Sequence, residues 1–145
     1  DLLDLTQKYP NINLVVAHLG RSFNPIYLEK GLDMLRGRLH WHFDLSAVTN
    51  PEVFRVAFER IPHDRLCFGS DAPLLLCRGY YDFPTPETYK IHVHGYNLDD
   101  PTQPPLIYGM LDGLIAAARA CNLSRESVEK IFYTNARDLV KSVLS

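Results

Sequence analysis

Over its first 71 residues the chain alternates between helical and strand-like patterns of hydrophobic positions. Three segments carry apolar residues at helical spacing, and each is followed by a continuous apolar run of strand length. The predicted helices cover residues 1–9, 25–38 and 51–61. The predicted strands cover residues 13–20, 39–47 and 64–71. Apolar strands separated by helices are typical of a parallel sheet that is buried under helices.

Residues 72–105 interrupt this pattern with six prolines, several tyrosines and a polar turn. So long a connection within a domain is usually a lid, a binding loop or a small subdomain, and less often disorder. Its aromatic residues favour an ordered lid. Three further helices are predicted after it, at 106–121, 125–133 with Ser124 as N-cap, and 135–144 with Thr134 as N-cap.

The order of elements predicts an α/β fold. We expect a partial (β/α)8 TIM barrel made of about the last three βα units, with a long insertion after the final strand and C-terminal helices; an open doubly wound sheet is the alternative. Residues 1–145 are expected to form a single partial domain that includes the lid or insertion at 72–105. Because the chain opens without Met inside a helical pattern, we expect it to be part of a longer protein.

Composition removes several classes of partner. Fifteen Lys and Arg against 17 Asp and Glu give a net charge of −2 with no basic run, so neither nucleic acid nor an anionic membrane is expected as a partner. The apolar runs are too short to span a membrane. Three cysteines without CxxC spacing fit reduced thiols and a cytoplasmic location. Cys67 is predicted to lie in the core, and Cys77 is the one to test for reactivity.

Polar residues stand at the carboxyl end of each predicted strand, where ligands bind in parallel α/β folds. His18 ends the first strand, Asp44 and Ser46 end the second, and Asp71 ends the third. Histidine and aspartate meeting at one edge suit metal-assisted hydrolysis or proton transfer. The alternatives are a structural histidine at His18 and ordinary turn chemistry at the two aspartates.

Four segments, "YPNINLVVAHLGR", "WHFDLSA", "DRLCFGSDAP" and "IFYTNARDLV", together resemble the C-terminal part of the amidohydrolase-related family, which includes the aminocarboxymuconate-semialdehyde decarboxylase group. The resemblance implies that the three strands are the sixth to eighth of a metal-dependent barrel. It implies that His18 is a metal ligand or catalytic acid/base, that Asp71 is a metal ligand and proton acceptor, and that Asn135 is structural. The implied cofactor is a divalent metal, with zinc the expected ion.

The chain departs from that family at several points. Arg21 stands where a second glycine often follows "HLG", and Ala72 where an aromatic often follows "GSD". The family's His-x-His pair on the first strand, and its histidine on the fifth, have no counterpart among these residues.

Other polar residues are candidates for the same site. His92 and His94 are spaced to point to one side of an extended segment, either as replacement metal ligands or as lid histidines that face the substrate. Arg21 and Arg78 are candidates for holding a substrate carboxylate, with surface charge as the alternative. His40 and His42 share the His-x-His spacing but enter the second strand at its opposite end.

Two functions of different classes follow. In the first, the chain is the C-terminal part of a metal-dependent enzyme that hydrolyses a C–N or C–O bond of a small molecule, or decarboxylates a small acid, and is inactive by itself. In the second, it is an inactive fragment that acts only by association, forming a homo-oligomer through exposed strand edges.

Overall fold

The computed structural model describes residues 2–35, 41–85, 87–96 and 102–144. The strands are β1 (Val15–Val16), β2 (His42–Asp44), β3 (Leu66–Cys67), β4 (Arg78–Thr85) and β5 (Thr88–Gly95). The helices are α1 (Leu2–Lys8), α2 (His18–Arg21), α3 (Pro25–Met34), α4 (Pro51–Arg60), α5 (Leu106–Ala120), α6 (Arg125–Glu129) and α7 (Asn135–Leu144). Short 3₁₀ turns lie at His63–Arg65 and Leu74–Leu76, and a π-helical turn spans Lys130–Thr134.

The first three strands form a parallel sheet in the order β1-β2-β3. This confirms the predicted helix–strand alternation and a mixed α/β structure. Within the described residues the three strands lie side by side and do not close into a barrel. Each strand is shorter than predicted. β1 ends early, just before the α2 turn, and β3 begins late, after a 3₁₀ turn.

Residues 78–95 form a two-stranded antiparallel hairpin, β4–β5, inside the segment expected to be a lid. Tyr80 pairs with His92, and Tyr81 pairs with Ile91. The sequence pattern did not predict strands here, because its prolines argue against pairing. Of those six prolines, Pro84 lies in β4 near the hairpin end, and Pro73, Pro104 and Pro105 lie outside both strands. Pro86 and Pro101 lie outside the described residues.

The core lies between the parallel sheet and helices α3, α4 and α5. Phe43 and Leu66, which pair in adjacent strands, are 1% and 0% exposed, and Phe54 of α4 is fully buried. Helix α5 approaches the loop after β2 so closely that a Cβ at Gly113 would overlap the carbonyl oxygen of Thr49. The glycine therefore allows α5 to pack directly against that loop.

The last two helices, α6 and α7, are joined through the π-helical turn without a break. Ser124 caps α6 as predicted, accepting from the backbone N–H of Ser127, but Thr134 lies within the π-helical turn and caps nothing. The side-chain amide of Asn135 donates to the carbonyl oxygens of His63 and Leu66, both at 2.7 Å. These buried hydrogen bonds fasten α7 to the start of β3 and explain a structural role for Asn135.

Both Cys67 and Cys77 are buried, although Cys77 lies in the segment predicted to be a lid. Cys67 is buried, as predicted, and burial followed by the nearby Asp44 carboxylate raises the pKa of its thiol. Cys77, the cysteine to test for reactivity, is only 2% exposed, and this burial disfavours a reactive thiol. Its carbonyl accepts from the N–H of Leu106, which draws the start of β4 into the core beside α5.

In the described part of the chain, no helix is both long enough and apolar enough to cross a membrane. The cytoplasmic location stays a prediction.

Candidate functional site

A hydrogen-bonded cluster joins the carboxyl ends of β1 and β2. His18 Nδ1 lies 2.8 Å from Ser46 Oγ and 3.2 Å from the Ser46 carbonyl oxygen. Ser46 Oγ in turn donates to Asp44 Oδ2, and the Ser46 N–H donates to Asp44 Oδ1 at 3.0 Å. Asp44 Oδ2 also lies 3.6 Å from His18 Nδ1. Both the imidazole and the carboxylate remain partly exposed, at 27% and 19%.

Gly69, in the loop after β3, closes this cluster from the other side. A Cβ at this position would overlap Asp44 Oδ1 and lie 3.3 Å from Ser46 Cβ. The backbone of the third strand tip therefore passes directly over the carboxylate of the second, which is possible only because residue 69 has no side chain. All three strand tips meet at one edge, as the sequence predicted.

Asp71 lies two residues beyond Gly69 and is partly exposed. Its carboxylate makes no hydrogen bond within the described part of the chain. It lies near Tyr81 of the hairpin: burial, then the Asp71 charge, then Tyr89 raise the pKa of Tyr81 to about 12. The hairpin thus brings a neutral phenol close to the carboxylate at the third strand tip.

The backbone is left-handed at each of the three tips. His18, Ala47 and Asp71 have φ values of 52°, 61° and 48°. Residues other than glycine adopt this region rarely, and such residues concentrate at active sites and ligand clamps. The repeated conformation at one edge favours a functional role for this cluster over ordinary turns.

A cavity of about 320 Å³ lies where the hairpin, α5 and the loop after β2 meet. Tyr81 lines it, as do Thr49 and Asp112. The hydroxyl of Thr49 is buried and has no hydrogen-bond partner among the described residues. A mostly apolar cavity of this size with a few polar groups suits a small molecule.

Of the remaining candidate residues, Arg21 lies at the end of α2, three residues beyond His18, and the others lie on the hairpin. Arg21 is exposed within the α2 turn. Arg78 donates through Nη1 to the carbonyl oxygen of Gln103 and so supports the loop before α5. His92 and His94 lie on one face of β5, with ring centroids 4.5 and 6.2 Å from that of Tyr80.

His42 lines a separate cavity at the amino end of the strands with Asp64 and Arg65, as its place at the start of β2 suggested. Burial, then the charge of Arg65, lower its pKa. His40 lies outside the described residues.

His18 and Asp71 offer donors that suit a divalent metal in part. An imidazole nitrogen and a carboxylate oxygen are ordinary zinc ligands, but a catalytic zinc takes three ligands from the protein. In residues 2–35, 41–85, 87–96 and 102–144, no three His, Cys, Asp or Glu side chains are grouped so as to hold a metal ion. The described residues therefore fit a metal only as part of a ligand set.

Sequence reasoning placed Asp44 and Ser46 at the edge but did not connect them to His18. The Asp-x-Ser spacing was the available signal, since an aspartate commonly accepts from the N–H two residues on. Tyr81 and Thr49 were missed altogether. No local pattern could reveal them, because the cavity that both residues line forms only when the hairpin and α5 pack against the loop after β2.

Parallel strands whose polar tips meet at one edge are typical of α/β proteins that bind a ligand at that edge. The sequence model of the amidohydrolase family matches residues 1–141, so the chain belongs to the amidohydrolase family. Its members are metal-dependent enzymes of the hydrolase and decarboxylase type. Comparison with curated proteins and with solved structures found no match.

Proposed function

We propose that this chain carries the substrate-facing edge of a metal-dependent amidohydrolase that hydrolyses a C–N or C–O bond of a small molecule. The observation that carries the proposal is the hydrogen-bonded cluster of His18, Ser46 and Asp44 at the carboxyl ends of β1 and β2. Asp71 follows β3 at the same edge of the sheet. The adjacent 320 Å³ cavity supports a small-molecule substrate.

In this proposal Asp71 accepts the proton of the attacking water and returns it to the leaving nitrogen or oxygen. Its carboxylate is suited to this role because it accepts no hydrogen bond from any of the described residues. His18 ligates the metal or polarises the substrate. Tyr81 and the hairpin cover the edge and limit access of water to it.

A divalent metal, with zinc the expected ion, supplies an acidified water and polarises the bond to be broken when it is bound. We propose His18 and Asp71 as two of its ligands. Further ligands would come from strands that precede β1 in a (β/α)8 barrel, of which the three βα units here would be the last. Arg21, Arg78, His92 and His94 remain candidates for substrate contacts.

Decarboxylation of a small acid is the alternative reaction, as in the aminocarboxymuconate-semialdehyde decarboxylase group that the chain resembles. The same side chains would serve it, because Asp71 or His18, once it has taken up a proton, can deliver that proton to the carbon that loses CO₂. The protein then releases CO₂ and consumes a proton instead of consuming water.

Association is a second candidate function, which one feature of the sheet favours. β1 is an edge strand of the described sheet, and Val15 is 44% exposed there. A cavity of about 300 Å³ opens beside it, lined mainly by apolar residues that include Val16, Leu32 and Phe43. An exposed strand edge next to apolar surface is a site for pairing with a second chain.

Metal content tests the proposed ligands. Mass spectrometry of the protein purified together with the strands proposed to precede β1, and dialysed against a weak chelator, should show zinc in the wild type and its loss in Asp71→Asn. Asp64→Asn is the matched control, because Asp64 is an exposed aspartate at the opposite end of the strands and should leave the metal in place. Equal metal in all three proteins, or none in the wild type, would contradict a metal site on Asp71.

Product analysis tests the reaction. The same protein, which includes the strands proposed to precede β1, is incubated with added zinc and with panels of carboxamides, lactones and small aromatic acids. Release of amine or hydroxy acid supports hydrolysis, and release of CO₂ supports decarboxylation. Activity that survives Asp71→Asn undiminished would count against the proposed proton transfer.

A further inference from the structure

We propose that Asp44 and Ser46 are positioning residues that hold the neutral His18 ring protonated on Nδ1, so that Nε2 presents its lone pair to the ligand. The inference extends the proposed function, and it selects between two roles left open for His18. A ring held in this form accepts a proton or ligates a metal through Nε2, and it cannot donate a hydrogen bond from that atom.

The first argument is the chemistry of the atoms around Nδ1. The Ser46 carbonyl oxygen, 3.2 Å away, can only accept a hydrogen bond. A lone pair on Nδ1 would face the lone pairs of that oxygen, whereas an N–H there is attracted to it. The proton is therefore favoured on Nδ1.

The second argument is the direction of the hydrogen bonds in the cluster. Asp44 Oδ1 accepts from the Ser46 N–H at 3.0 Å, which holds the carboxylate with Oδ2 toward Ser46 Oγ. The hydroxyl proton of Ser46 is donated to Oδ2, so Oγ has only lone pairs left for Nδ1 at 2.8 Å. Asp44 thus acts on the ring through Ser46.

Nε2 has no hydrogen-bond partner in the part of the chain that the structure describes, and the side chain is 27% exposed. A histidine that binds a metal or substrate through one nitrogen usually donates from the other to a carbonyl or carboxylate. The Ser46 and Asp44 oxygens supply that arrangement at His18.

His63 provides an internal comparison with the opposite outcome. Its Nδ1 also faces a serine hydroxyl, Ser127 Oγ at 3.1 Å, but its carbonyl neighbour, Phe58 O at 3.1 Å, lies at Nε2. The same reasoning assigns the proton of His63 to Nε2. Two histidines in one protein are therefore expected to be opposite tautomers.

Long-range ¹H–¹⁵N correlation spectra of the ¹⁵N-labelled chain test this directly. They are recorded at about pH 8.5, two units above the ordinary imidazole pKa of about 6.5. The expected result is an unprotonated Nε2 at His18 and an unprotonated Nδ1 at His63. A protonated Nε2 in wild-type His18 overturns the proposal, whatever the catalytic activity of the protein.

Asp44→Asn should reverse the chain of hydrogen bonds. Asp44 Oδ1 accepts from the Ser46 N–H at 3.0 Å, and Oδ2 also accepts from the backbone N–H of His18 at the longer distance of 3.4 Å. The shorter bond should keep the amide oxygen of the new residue on the Ser46 N–H. The amide NH₂ then faces Ser46 Oγ, whose proton turns to His18 Nδ1. The Nε2-protonated form of His18 should become the major one. Ser46→Ala should increase the population of the Nε2-protonated form less. It removes the hydroxyl without supplying a donor to Nδ1, and the carbonyl oxygen at position 46 still favours a proton there.

Ser127→Ala is the matched control, since it removes the hydroxyl from His63 and should leave the His18 signals unchanged. Unchanged His63 signals in the Asp44 and Ser46 variants show that they are folded. Unchanged His18 signals in both folded variants would overturn the proposal. In the active protein, Asp44→Asn should lower kcat by about 10- to 100-fold, the usual effect of losing such a partner.

Discussion

At the scale of single residues, the site depends on the absence of a side chain as much as on the polar groups. Gly69 lets the third strand tip pass over Asp44, and the left-handed conformations of His18 and Asp71 aim their side chains from tight turns. These features concern individual backbone positions, so single substitutions should reveal them.

Gly69→Ala should destabilise the protein by about 1–3 kcal/mol, because the new methyl group would overlap Asp44 Oδ1 and displace this carboxylate from its hydrogen bonds with Ser46. Gly31→Ala, inside α3, is the control: its Cβ would meet nothing within 4 Å, and alanine should stabilise the helix by about 0.5–1 kcal/mol. Urea unfolding of both variants checks this. Equal stability of the two would contradict the close approach.

Tyr81 should make stability fall at high pH. The unfolded chain loses this proton near the ordinary pKa of 10 and the folded chain near about 12. Between these values the unfolded state binds fewer protons, so stability is complete below pH 10 and declines toward pH 12. Tyr81→Phe should flatten that part of the curve of unfolding free energy against pH, whereas Tyr27→Phe, at an exposed position, should not.

At the scale of elements, the hairpin is attached to the loop that follows His18. Asn24, 1% exposed, donates to the carbonyl oxygen of Glu87 at 2.9 Å, and the rings of Phe23 and Tyr89 have centroids 4.7 Å apart. The segment that carries His18 and the hairpin that carries Tyr81 are thereby coupled. Movement of the hairpin would change access to the strand tips.

Phe23→Ala should loosen β4–β5. An aromatic pair contributes about 0.5–1.5 kcal/mol, so hydrogen exchange of the hairpin amides should rise by up to about ten-fold. Phe132→Ala, which removes the ring stacked on Phe68 at 4.5 Å, should leave the hairpin amides as they are. Unaltered exchange in Phe23→Ala would show that the hairpin is held by other contacts.

At the scale of the whole molecule, the described sheet has an open edge. Three parallel strands bury little apolar surface by themselves, and parallel sheets are normally covered on both faces. A further strand or helix could pack against the exposed Val15 and the cavity beside it, whether it comes from the same protein or from a second copy.

Val15→Lys should therefore reduce self-association, because a lysine at an edge strand opposes pairing with another chain. Sedimentation velocity over a range of concentrations should show oligomers in the wild type and fewer in the variant. Val143→Lys, at an exposed position of α7, should associate like the wild type. A monomeric wild type at all concentrations would refute association through this edge.

Much of the fold was predictable because it depends on local chemistry. Hydrophobic spacing located α4 to within one residue, and Asn50 caps it by accepting from the N–H of Glu52, a role typical of asparagine before a proline that opens a helix. The hairpin was not predictable in the same way. Its pairing joins β4 to β5 through a segment whose prolines indicate a loop.

Local sequence patterns were enough to predict the alternation of helices and parallel strands over the first 71 residues and the polar residue at each strand tip, since periodicity and capping act within a few residues. Which tips meet depends on how the strands pair in the fold. His18 and Ser46 are 28 residues apart in the chain, and strand register brings them into contact. The orientation of the imidazole, the approach of Gly69 to Asp44 and the position of Tyr81 depend on such long-range packing, which no local pattern encodes.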